Sequence, residues 1–568
     1  MNTQSATCDV LVIGSGAAGM SAAVTARHAG LDVVLMEKSA LIGGTTALSG
    51  GFLWIPCNPV SEAAGARDSV DAARTYIQTE AGNHFDGERV DAFLAAGPEM
   101  IRFFEAKTVV KFDPSPHFAD YHPDLPGAVS GGRSILARPF DGRLLGNNLA
   151  MLRPPLRELT FLGLTLGSGS DVRHFTNASR SARSAAFVAG RMVRHARDLA
   201  LHRRSMRLLN GNALAARLLR SALDLGVRIM TGTTARALLS RAGRVTGVEA
   251  EREGVAIEVR ASRAVILASG GFPHDEKLRH QLYPHVGQGI SHHSLAPLEN
   301  CGDGLAMARA VGAAWRSSLS NPAAWTPVSE VHRRDGSIGL YPHFIDRGKP
   351  GIIAVMSDGR RFTNESASYH DFIQGYLAAV TSRGVTDAFF IADHRALRRY
   401  GLGIVKPFPV PLGAYLRSGY LKRGSTLADL ARVVGIDADA LTDQVERFNR
   451  AAARGEDPEF RKGSSTYNRF QGDPDHQPNP CLAPLSKPPF YAVRIKPGDI
   501  GTFAGIETDA RTRVLDEQGE VIPGLCAVGN DASSVMGGSY PGGGITLGPA
   551  MTFGYIAARQ ISENTAGD

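Results

Sequence analysis

Residues 8–19 read CDVLVIGSGAAG, and they carry the strongest indication of the fold. The apolar run CDVLVI is typical of a buried parallel strand, and the glycine-rich turn GSGAAG follows it directly. An alanine-rich segment then predicts a helix, and a second apolar run, residues 33–36, ends at Glu37. Strand, GxGxxG, helix, strand and acid in this order predict a βαβ unit that binds a dinucleotide.

Each glycine of this turn has its own predicted role. Gly14 makes the tight turn, Gly16 lets the backbone approach a pyrophosphate, and Gly19 lets the helix pack closely on the strand. The free N–H groups at the start of the helix are expected to face the phosphates. Glu37 is expected to accept hydrogen bonds from the adenosine ribose.

The next stretch distinguishes between two dinucleotides. Residues 38–51 read KSALIGGTTALSGG, with two glycine pairs and two threonines directly after the ribose acid. An NAD-binding chain would continue here into another βα unit. Here a second glycine-rich loop takes the place of that unit. Such a loop suits the phosphate and ribityl groups of an extended FAD, so it favours FAD over NAD.

These motifs resemble the flavoprotein family that contains fumarate reductase, succinate dehydrogenase and the 3-ketosteroid dehydrogenases. The resemblance implies that residues 264–271 (AVILASGG) and 302–304 (GDG) also face the cofactor. Residues 524–531 (GLCAVGND) repeat the pattern of a strand followed by glycine, and in residues 539–559 a glycine turn opens a helix whose N-terminus suits a reduced flavin. The candidate cofactor-binding residues are Gly14, Gly16, Ala17, Ala18, Gly19, Glu37, Lys38, Ser39, Gly43, Gly44, Thr45, Thr46, Ser49, Gly50, Gly51, Ser269, Gly270, Asp303, Gly529, Asn530, Gly544, Thr546 and Leu547.

The chain of 568 residues is long enough for two to four domains at roughly 150 residues each. The predicted fold class is α/β: a Rossmann-like, glutathione-reductase type FAD-binding domain that is discontinuous, with an inserted α+β substrate (capping) domain. Residues 1–288 form its first part, with an arginine-rich helical lobe at about 145–210. Residues 289–488 form the substrate domain, and residues 489–568 return to the FAD-binding domain.

The positive charge is concentrated in residues 151–210. This segment has eleven arginines and no lysine, against three carboxylates, so its formal charge is +8 when the whole chain carries +7. The arginines are Arg153, Arg157, Arg173, Arg180, Arg183, Arg191, Arg194, Arg197, Arg203, Arg204 and Arg207. With apolar stretches between them, they predict either peripheral contact with anionic lipid or a solvated insertion whose arginines pair locally. No nucleic-acid-binding motif accompanies the charge.

Composition excludes several classes of protein. No run of 18 apolar residues predicts a transmembrane helix, and the first positive residue is Arg27, so no secretory signal is expected. The five scattered cysteines form neither a disulfide framework nor a CxxC pattern, and no metal site is predicted. We therefore expect a cytoplasmic protein, with the inner face of the cell membrane as a site of peripheral contact.

Three tyrosines stand in stretches that resemble the active-site stretches of 3-ketosteroid Δ1-dehydrogenases. The stretches are FADYHPDLPGA (118–128), RFTNESASY (361–369) and YPGGG (540–544). The resemblance implies that Tyr369 is the base that removes the C2 proton and that Tyr121 supports it by a hydrogen bond. The Tyr540 hydroxyl and the Gly544 N–H would then stabilise the charge on the ketone oxygen.

The predicted reaction is flavin-dependent 1,2-dehydrogenation of a 3-ketosteroid, with noncovalent FAD and a quinone-type electron acceptor. Hydride would pass from C1 to the flavin N5. Three alternatives stay open: a 3-keto-5α-steroid 4-dehydrogenase, a fumarate-reductase-like enoate reductase, and a noncatalytic flavoprotein docked on the membrane through the arginine lobe. The last alternative leaves the tyrosines unexplained.

Overall fold

The computed structural model describes residues 4–167 and 170–563. Positions 168–169 of the arginine-rich lobe and the side chain of Arg173 lie outside the described residues. The α-helices are Ala17–His28, Pro59–Ala63, Val70–Ala81, Gly87–Lys107, Ser170–Asn177, Ala182–His202, Asn210–Asp224, Glu276–Leu282, Pro284–Gly287, Asp303–Ala310, Tyr369–Arg383, His394–Tyr400, Gly413–Arg417, Leu427–Val434, Ala438–Ala452, Thr466–Gln471 and Leu547–Glu563.

The first large sheet is built around the N-terminal strand. In spatial order its main strands are Arg228–Met230, Val33–Met36, Gln4–Ile13, Val255–Leu267, Arg244–Arg252 and Thr233–Arg241, and Val521–Ala527 and Arg513–Leu515 complete it. Gln4–Ile13 pairs in parallel with Val33–Met36 and Val255–Leu267. Because its residues Val10–Val12 are buried, this strand is apolar throughout that part.

Helix Ala17–His28 follows the N-terminal strand, as the glycine motif predicts, and packs against helices Asn210–Asp224 and Leu547–Glu563. The approach to the C-terminal helix is close. A Cβ at Gly554 would lie 2.4 Å from the carbonyl oxygen of Ala18, so only glycine fits there. The two ends of the chain therefore meet on one face of the first sheet.

The second large sheet is formed mainly by the middle of the chain. Its strands in order are Ile338–Pro342, Ala323–His332, Phe490–Thr502, Ala388–Asp393 and Ile352–Met356, with His293–Ser294 and Lys422–Gly424 also paired to Phe490–Thr502. The predicted boundary at residue 489 is too early, because Phe490–Thr502 lies inside this sheet. The chain returns to the first sheet only at Arg513–Leu515. Because a buried strand has a similar apolar composition in either domain, composition could not show to which domain Phe490–Thr502 belongs.

Smaller strands complete the fold. Phe52–Trp54, Ser134–Ala137 and Phe112–Pro114 form a three-stranded sheet next to the N-terminal region. Paired short strands are Trp315–Arg316 with Gly505–Ile506, Phe140–Asp141 with Arg207–Leu208, and Thr160–Phe161 with Leu164–Thr165.

The arginine-rich segment contains helices Ser170–Asn177 and Ala182–His202. Arg191, on the longer helix, is buried and pairs with Asp171 at 2.6 Å. The same helix exposes Val193 and Leu201, with 70% and 69% of their surfaces accessible. Among the residues that the structure describes, no helix combines the length and the apolar character that crossing a bilayer requires.

Candidate active site

One cavity of about 1060 Å³ brings together most of the predicted site residues. Of the cofactor candidates, those that line it are Gly14, Gly16, Ala17, Ala18, Glu37, Lys38, Gly44, Thr45, Thr46, Ser49, Gly50, Gly51, Ser269, Gly270, Asp303, Gly529, Asn530, Gly544, Thr546 and Leu547. Tyr121, Tyr369 and Tyr540 line the same cavity. Gly19, Ser39 and Gly43 are not among the residues that line it.

The glycine turn has the shape that a bound phosphate group needs. Gly14 has a φ of +110°, and a Cβ there would lie 2.1 Å from the carbonyl oxygen of Ala268. A Cβ at Gly19 would lie 1.9 Å from the carbonyl oxygen of Gly14, so both positions require glycine for packing. A Cβ at Gly16 would meet only Thr46 Oγ1, at 3.7 Å. The open space above Gly16 fits the close approach of a pyrophosphate.

The carboxylate of Glu37 is held by three donors around it. Ser15 donates from its backbone N–H at 3.0 Å and from its hydroxyl at 2.5 Å, and the N–H of Ser39 donates at 2.8 Å. Ser39 therefore positions Glu37 instead of lining the cavity. Ser15 was absent from the candidates, although its place inside the GxG motif next to the acid could have indicated it.

The cofactor end of the cavity also carries basic groups. Lys38 Nζ pairs with Asp303 Oδ2 at 2.8 Å and so joins the N-terminal motif to the GDG turn. Arg153 donates to Ser39 Oγ at 3.0 Å and lies 3.4 Å from Glu299 Oε2. Arg153 lines the cavity, whereas the sequence grouped it with the arginines of residues 151–210, for which membrane contact and local pairing were both open.

A buried carboxylate that was not among the candidates holds the turn at Ser269. Asp531 accepts hydrogen bonds from the N–H of Ser269 at 2.5 Å and the N–H of Gly271 at 2.9 Å. Burial raises the pKa of Asp531, and these hydrogen bonds oppose that shift. Asp531 thus joins strand Val521–Ala527 to the turn that follows Val255–Leu267.

The three tyrosines form one aromatic cluster although they come from distant stretches. The ring centroids of Tyr121 and Tyr540 are 5.6 Å apart, and the two ring planes are nearly parallel, with an angle of 10° between them. The Tyr369 ring is 5.0 Å from Tyr540 and 5.8 Å from Tyr121, edge-on to both. Tyr467, which sequence reasoning missed, joins the cluster 4.5 Å from Tyr121.

The cluster is buried, and this favours neutral hydroxyl groups. Burial raises the pKa of Tyr369 well above its usual value, and the hydroxyls of Tyr121 and Tyr540 raise it further. Burial also raises the pKa of Tyr540 and of Tyr467 to about 12, and the charge of Arg347 opposes the shift at Tyr467. Tyr540 is therefore suited to donate a hydrogen bond. A base role for Tyr369 therefore requires that its hydroxyl proton is lost first, against the effect of burial.

Hydrogen bonds tie the tyrosine stretches to one another. The N–H of Tyr121 donates to the carbonyl oxygen of Pro541 at 2.9 Å. His122 bridges Glu80 and Asp371, the latter at 2.8 Å, and Asp371 lies two residues after Tyr369 on the same helix. Although burial disfavours its charge, hydrogen bonds to Asp371 and Glu80 raise the pKa of His122 to about 10. An ion triad thus connects two of the predicted catalytic tyrosines.

Gly544 lies at the start of the C-terminal helix region and requires glycine. Its φ is +105°, and a Cβ would lie 2.6 Å from the backbone of Phe52. Its carbonyl accepts hydrogen bonds from the N–H groups of Trp54 at 3.1 Å and Gly548 at 2.8 Å. The residue is fixed in place beside Tyr540, at the wall of the cavity.

The fold, the nucleotide motif and the tyrosine cluster together define a flavoprotein oxidoreductase. Residues 9–547 match the family described as the FAD binding domain, and the chain belongs to this family. Its cofactor is FAD, and the glycine turn and the cavity around Glu37 fit that group.

Curated relatives cover nearly the whole chain. It is 42% identical to a 4-oxocyclohex-2-ene-1-carboxylate 5-dehydrogenase of Sinomonas cyclohexanicum, over 98% of this chain and 94% of that protein. It is 38% identical to a 3-oxosteroid 1-dehydrogenase of Mycobacterium tuberculosis, over 98% of both chains. Both relatives are dehydrogenases named for cyclic ketones.

A solved structure is similar over the same extent. The crystal structure of a 3-ketosteroid Δ1-dehydrogenase from Sterolibacterium denitrificans, in complex with 1,4-androstadiene-3,17-dione, superposes with a TM-score of 0.91 at 36% identity. The similarity covers 98% of this chain and 100% of that one. The chain is therefore an FAD-dependent oxidoreductase of the family that includes the 3-ketosteroid dehydrogenases.

Proposed function

We propose that this protein catalyses the 1,2-dehydrogenation of a 3-ketosteroid. The observation that carries the proposal is the convergence of Tyr121, Tyr369 and Tyr540 in one cavity with the predicted FAD-binding residues. The 3-oxosteroid 1-dehydrogenase relative and the steroid complex of the similar structure support it.

In the proposed mechanism, the Tyr540 hydroxyl and the Gly544 N–H bind the ketone oxygen. Their hydrogen bonds strengthen as negative charge develops on that oxygen, which makes the C2 proton more acidic. Tyr369 acts as a phenolate, to which the Tyr121 hydroxyl donates a hydrogen bond, and it takes this proton and becomes a phenol. FAD, when bound, supplies the acceptor for the hydride that leaves C1.

A second substrate class is supported by one specific observation, the 42% identity to the 4-oxocyclohex-2-ene-1-carboxylate 5-dehydrogenase. That relative's name describes a single-ring ketone that carries a carboxylate. Introducing a double bond beside its carbonyl requires the same base and the same oxygen donors. The two candidates therefore share a mechanism and differ in the size and charge of the substrate.

One assay compares the two candidates. The purified protein is mixed with a dye acceptor and either 4-androstene-3,17-dione or 4-oxocyclohex-2-ene-1-carboxylate, and the products are identified by mass spectrometry and NMR. The steroid proposal expects dye reduction and a 1,4-diene product. Turnover of the single-ring acid alone would reject it. With a saturated 3-keto-5α-steroid as a third substrate, conversion only at C4–C5 would favour the 4-dehydrogenase.

We expect the FAD to be noncovalently bound. The resembling proteins that bind flavin covalently attach it through a histidine in the early glycine-rich loop, and residues 38–51 contain no histidine. Acid precipitation should therefore release free FAD into the supernatant, where its absorbance is measured. Yellow flavin that remains in the protein pellet would contradict this expectation.

We also propose that electrons pass to a quinone-type acceptor and that helix Ala182–His202 contacts anionic membranes. The support for membrane contact is the exposure of Val193 and Leu201 on a helix that also exposes Arg194 and Arg197. Apolar side chains beside cationic ones suit an interfacial helix, in which each basic residue contributes about 1 kcal/mol.

Flotation with anionic vesicles tests the membrane contact. Binding should weaken as salt rises, because the screening length falls to about 8 Å at physiological ionic strength. The double variant Arg194→Glu/Arg197→Glu should lose binding. The matched control Arg241→Glu/Arg244→Glu, at exposed positions of the first sheet, should keep it. Equal binding to neutral and anionic vesicles would reject the contact.

A further inference from the structure

Besides Lys38 and Arg153 at the cofactor end, three cationic side chains that the proposed mechanism does not use line the active-site cavity: Lys349, Arg399 and the exposed Arg469. Lys349 and Arg399, here called the basic pair, both belong to the cavity wall that the region of the second sheet provides. A neutral steroid does not need a cation at this wall. Any N–H donor of the basic pair that has no partner in the protein is therefore a potential contact for a charged group on the substrate.

Lys349 uses only part of its donor capacity. Its Nζ donates to the carbonyl oxygens of Gln471 at 2.8 Å and Gly472 at 2.7 Å. An ammonium group has three N–H donors, so a third remains. No carboxylate in residues 4–167 and 170–563 lies within 4.0 Å of Nζ. Burial lowers the pKa of Lys349, and an anion beside it would oppose that shift.

Arg399 also has an unused donor. Its Nε donates to Asp473 Oδ2 at 2.9 Å, and its Nη2 donates to the same oxygen. The hydroxyl of Tyr400 donates to that oxygen too, at 2.7 Å. The Nη1 group of Arg399 is buried and has no hydrogen-bond partner among the described residues. A buried donor of a charged group without a partner is unfavourable, so a bound anion would stabilise this arrangement.

The basic pair is connected to the tyrosine cluster through one short helix. Gln471, whose carbonyl accepts from Lys349, donates from Nε2 to the Tyr467 hydroxyl at 2.6 Å. Tyr467 in turn contacts Tyr121. Lys349 is therefore linked to the tyrosines through Gln471 and Tyr467, and it is not one of the donors proposed for the ketone oxygen.

We propose that Lys349, assisted by Arg399, binds a carboxylate on the substrate at the end away from its ketone. This inference rests on the proposed function, because it assumes that Tyr540 and Gly544 hold the ketone. The shared chemistry is a cyclic ketone with a carboxylate, carried either on a single ring or on the side chain of a steroid. The competing role for Lys349 is purely structural, as a cation at the C-terminal end of helix Thr466–Gln471.

The experiment compares each acid with its own uncharged methyl ester. The single-ring pair is a cyclohexenone carboxylate and its ester, and the steroid pair is a 3-ketosteroid with an acidic side chain and its ester. For at least one pair, wild-type kcat/KM should be about 10- to 100-fold higher for the acid, as expected for a hydrogen bond to a charged group. Whichever pair shows the preference identifies the source of the carboxylate.

Variants then assign the preference to Lys349. Lys349→Met should reduce the acid-to-ester ratio to near one, and Arg469→Met should keep the wild-type ratio. Arg469 is the matched control because it is an exposed cation on the same cavity. If Lys349→Met does not fold, Lys349→Gln removes the charge and keeps N–H donors for the two carbonyls.

Two results would overturn the inference: equal use of acid and ester by the wild-type protein, or a preference that survives the loss of Lys349. Absence of turnover for every ketone, with FAD bound, would instead reject the proposed function. The two failures are therefore distinguishable.

Discussion

Tyr369→Phe is expected to reduce turnover by about 10²–10⁴-fold, the usual contribution of a general base. The substitution removes one hydroxyl and keeps the ring, so the contacts of that ring with Tyr121 and Tyr540 should persist. FAD should remain bound, since the substitution keeps the ring that lines the cavity. Steady-state kinetics with a dye acceptor and the flavin absorbance of the purified variant measure both effects.

Tyr376→Phe is the matched control for this variant. Tyr376 lies on the same helix, is also buried, and donates to the carbonyl oxygen of Thr386 at 2.6 Å. It is outside the residues that line the cavity, so its variant should turn over like the wild type. Turnover near the wild-type rate in Tyr369→Phe, with FAD fully loaded, would reject Tyr369 as the base.

Tyr540→Phe is expected to slow the reaction by about 10²–10³-fold, the usual effect of removing one donor to a developing oxyanion. Because the pKa of Tyr540 is raised to about 12, its hydroxyl stays protonated in the neutral range. The loss should therefore be nearly constant between about pH 6 and pH 9. Rate measurements across this range, with each variant compared at the same pH, test both the size and the pH dependence.

Solvent exchange separates the two tyrosines. If Tyr369 removes the C2 proton, Tyr369→Phe should lose exchange of that proton with deuterium oxide, as followed by NMR. Tyr540→Phe should keep a slower exchange, because its base is intact and only the stabilisation of the ketone oxygen is lost. Exchange that is lost in Tyr540→Phe and kept in Tyr369→Phe would reverse the two assignments.

The sequence alone determined the nucleotide-binding part. Gly14, Gly16, Gly19 and Glu37 lie within one short βαβ unit, and their spacing follows directly from the geometry of a strand, a turn and a helix. Local interactions set such a unit, so a local pattern can reveal it. The three tyrosine stretches were found through their resemblance to known stretches, which does not require knowing how they meet.

Only the tertiary structure decided how distant residues combine. Arg153 belongs by sequence to the arginine-rich segment 151–210, and it lines the cofactor cavity because contacts with residues far along the chain, such as Ser39, turn it inward. Tyr467 and Lys349 give no local signal, and the strand-and-glycine pattern that ends at Asp531 does not reveal its partner Ser269, since each of the three acts on a partner brought close by folding. A single sequence records the spacing of neighbours along the chain. Which side chains share a cavity depends instead on how the two sheets pack, because each sheet is built from strands that lie far apart along the chain.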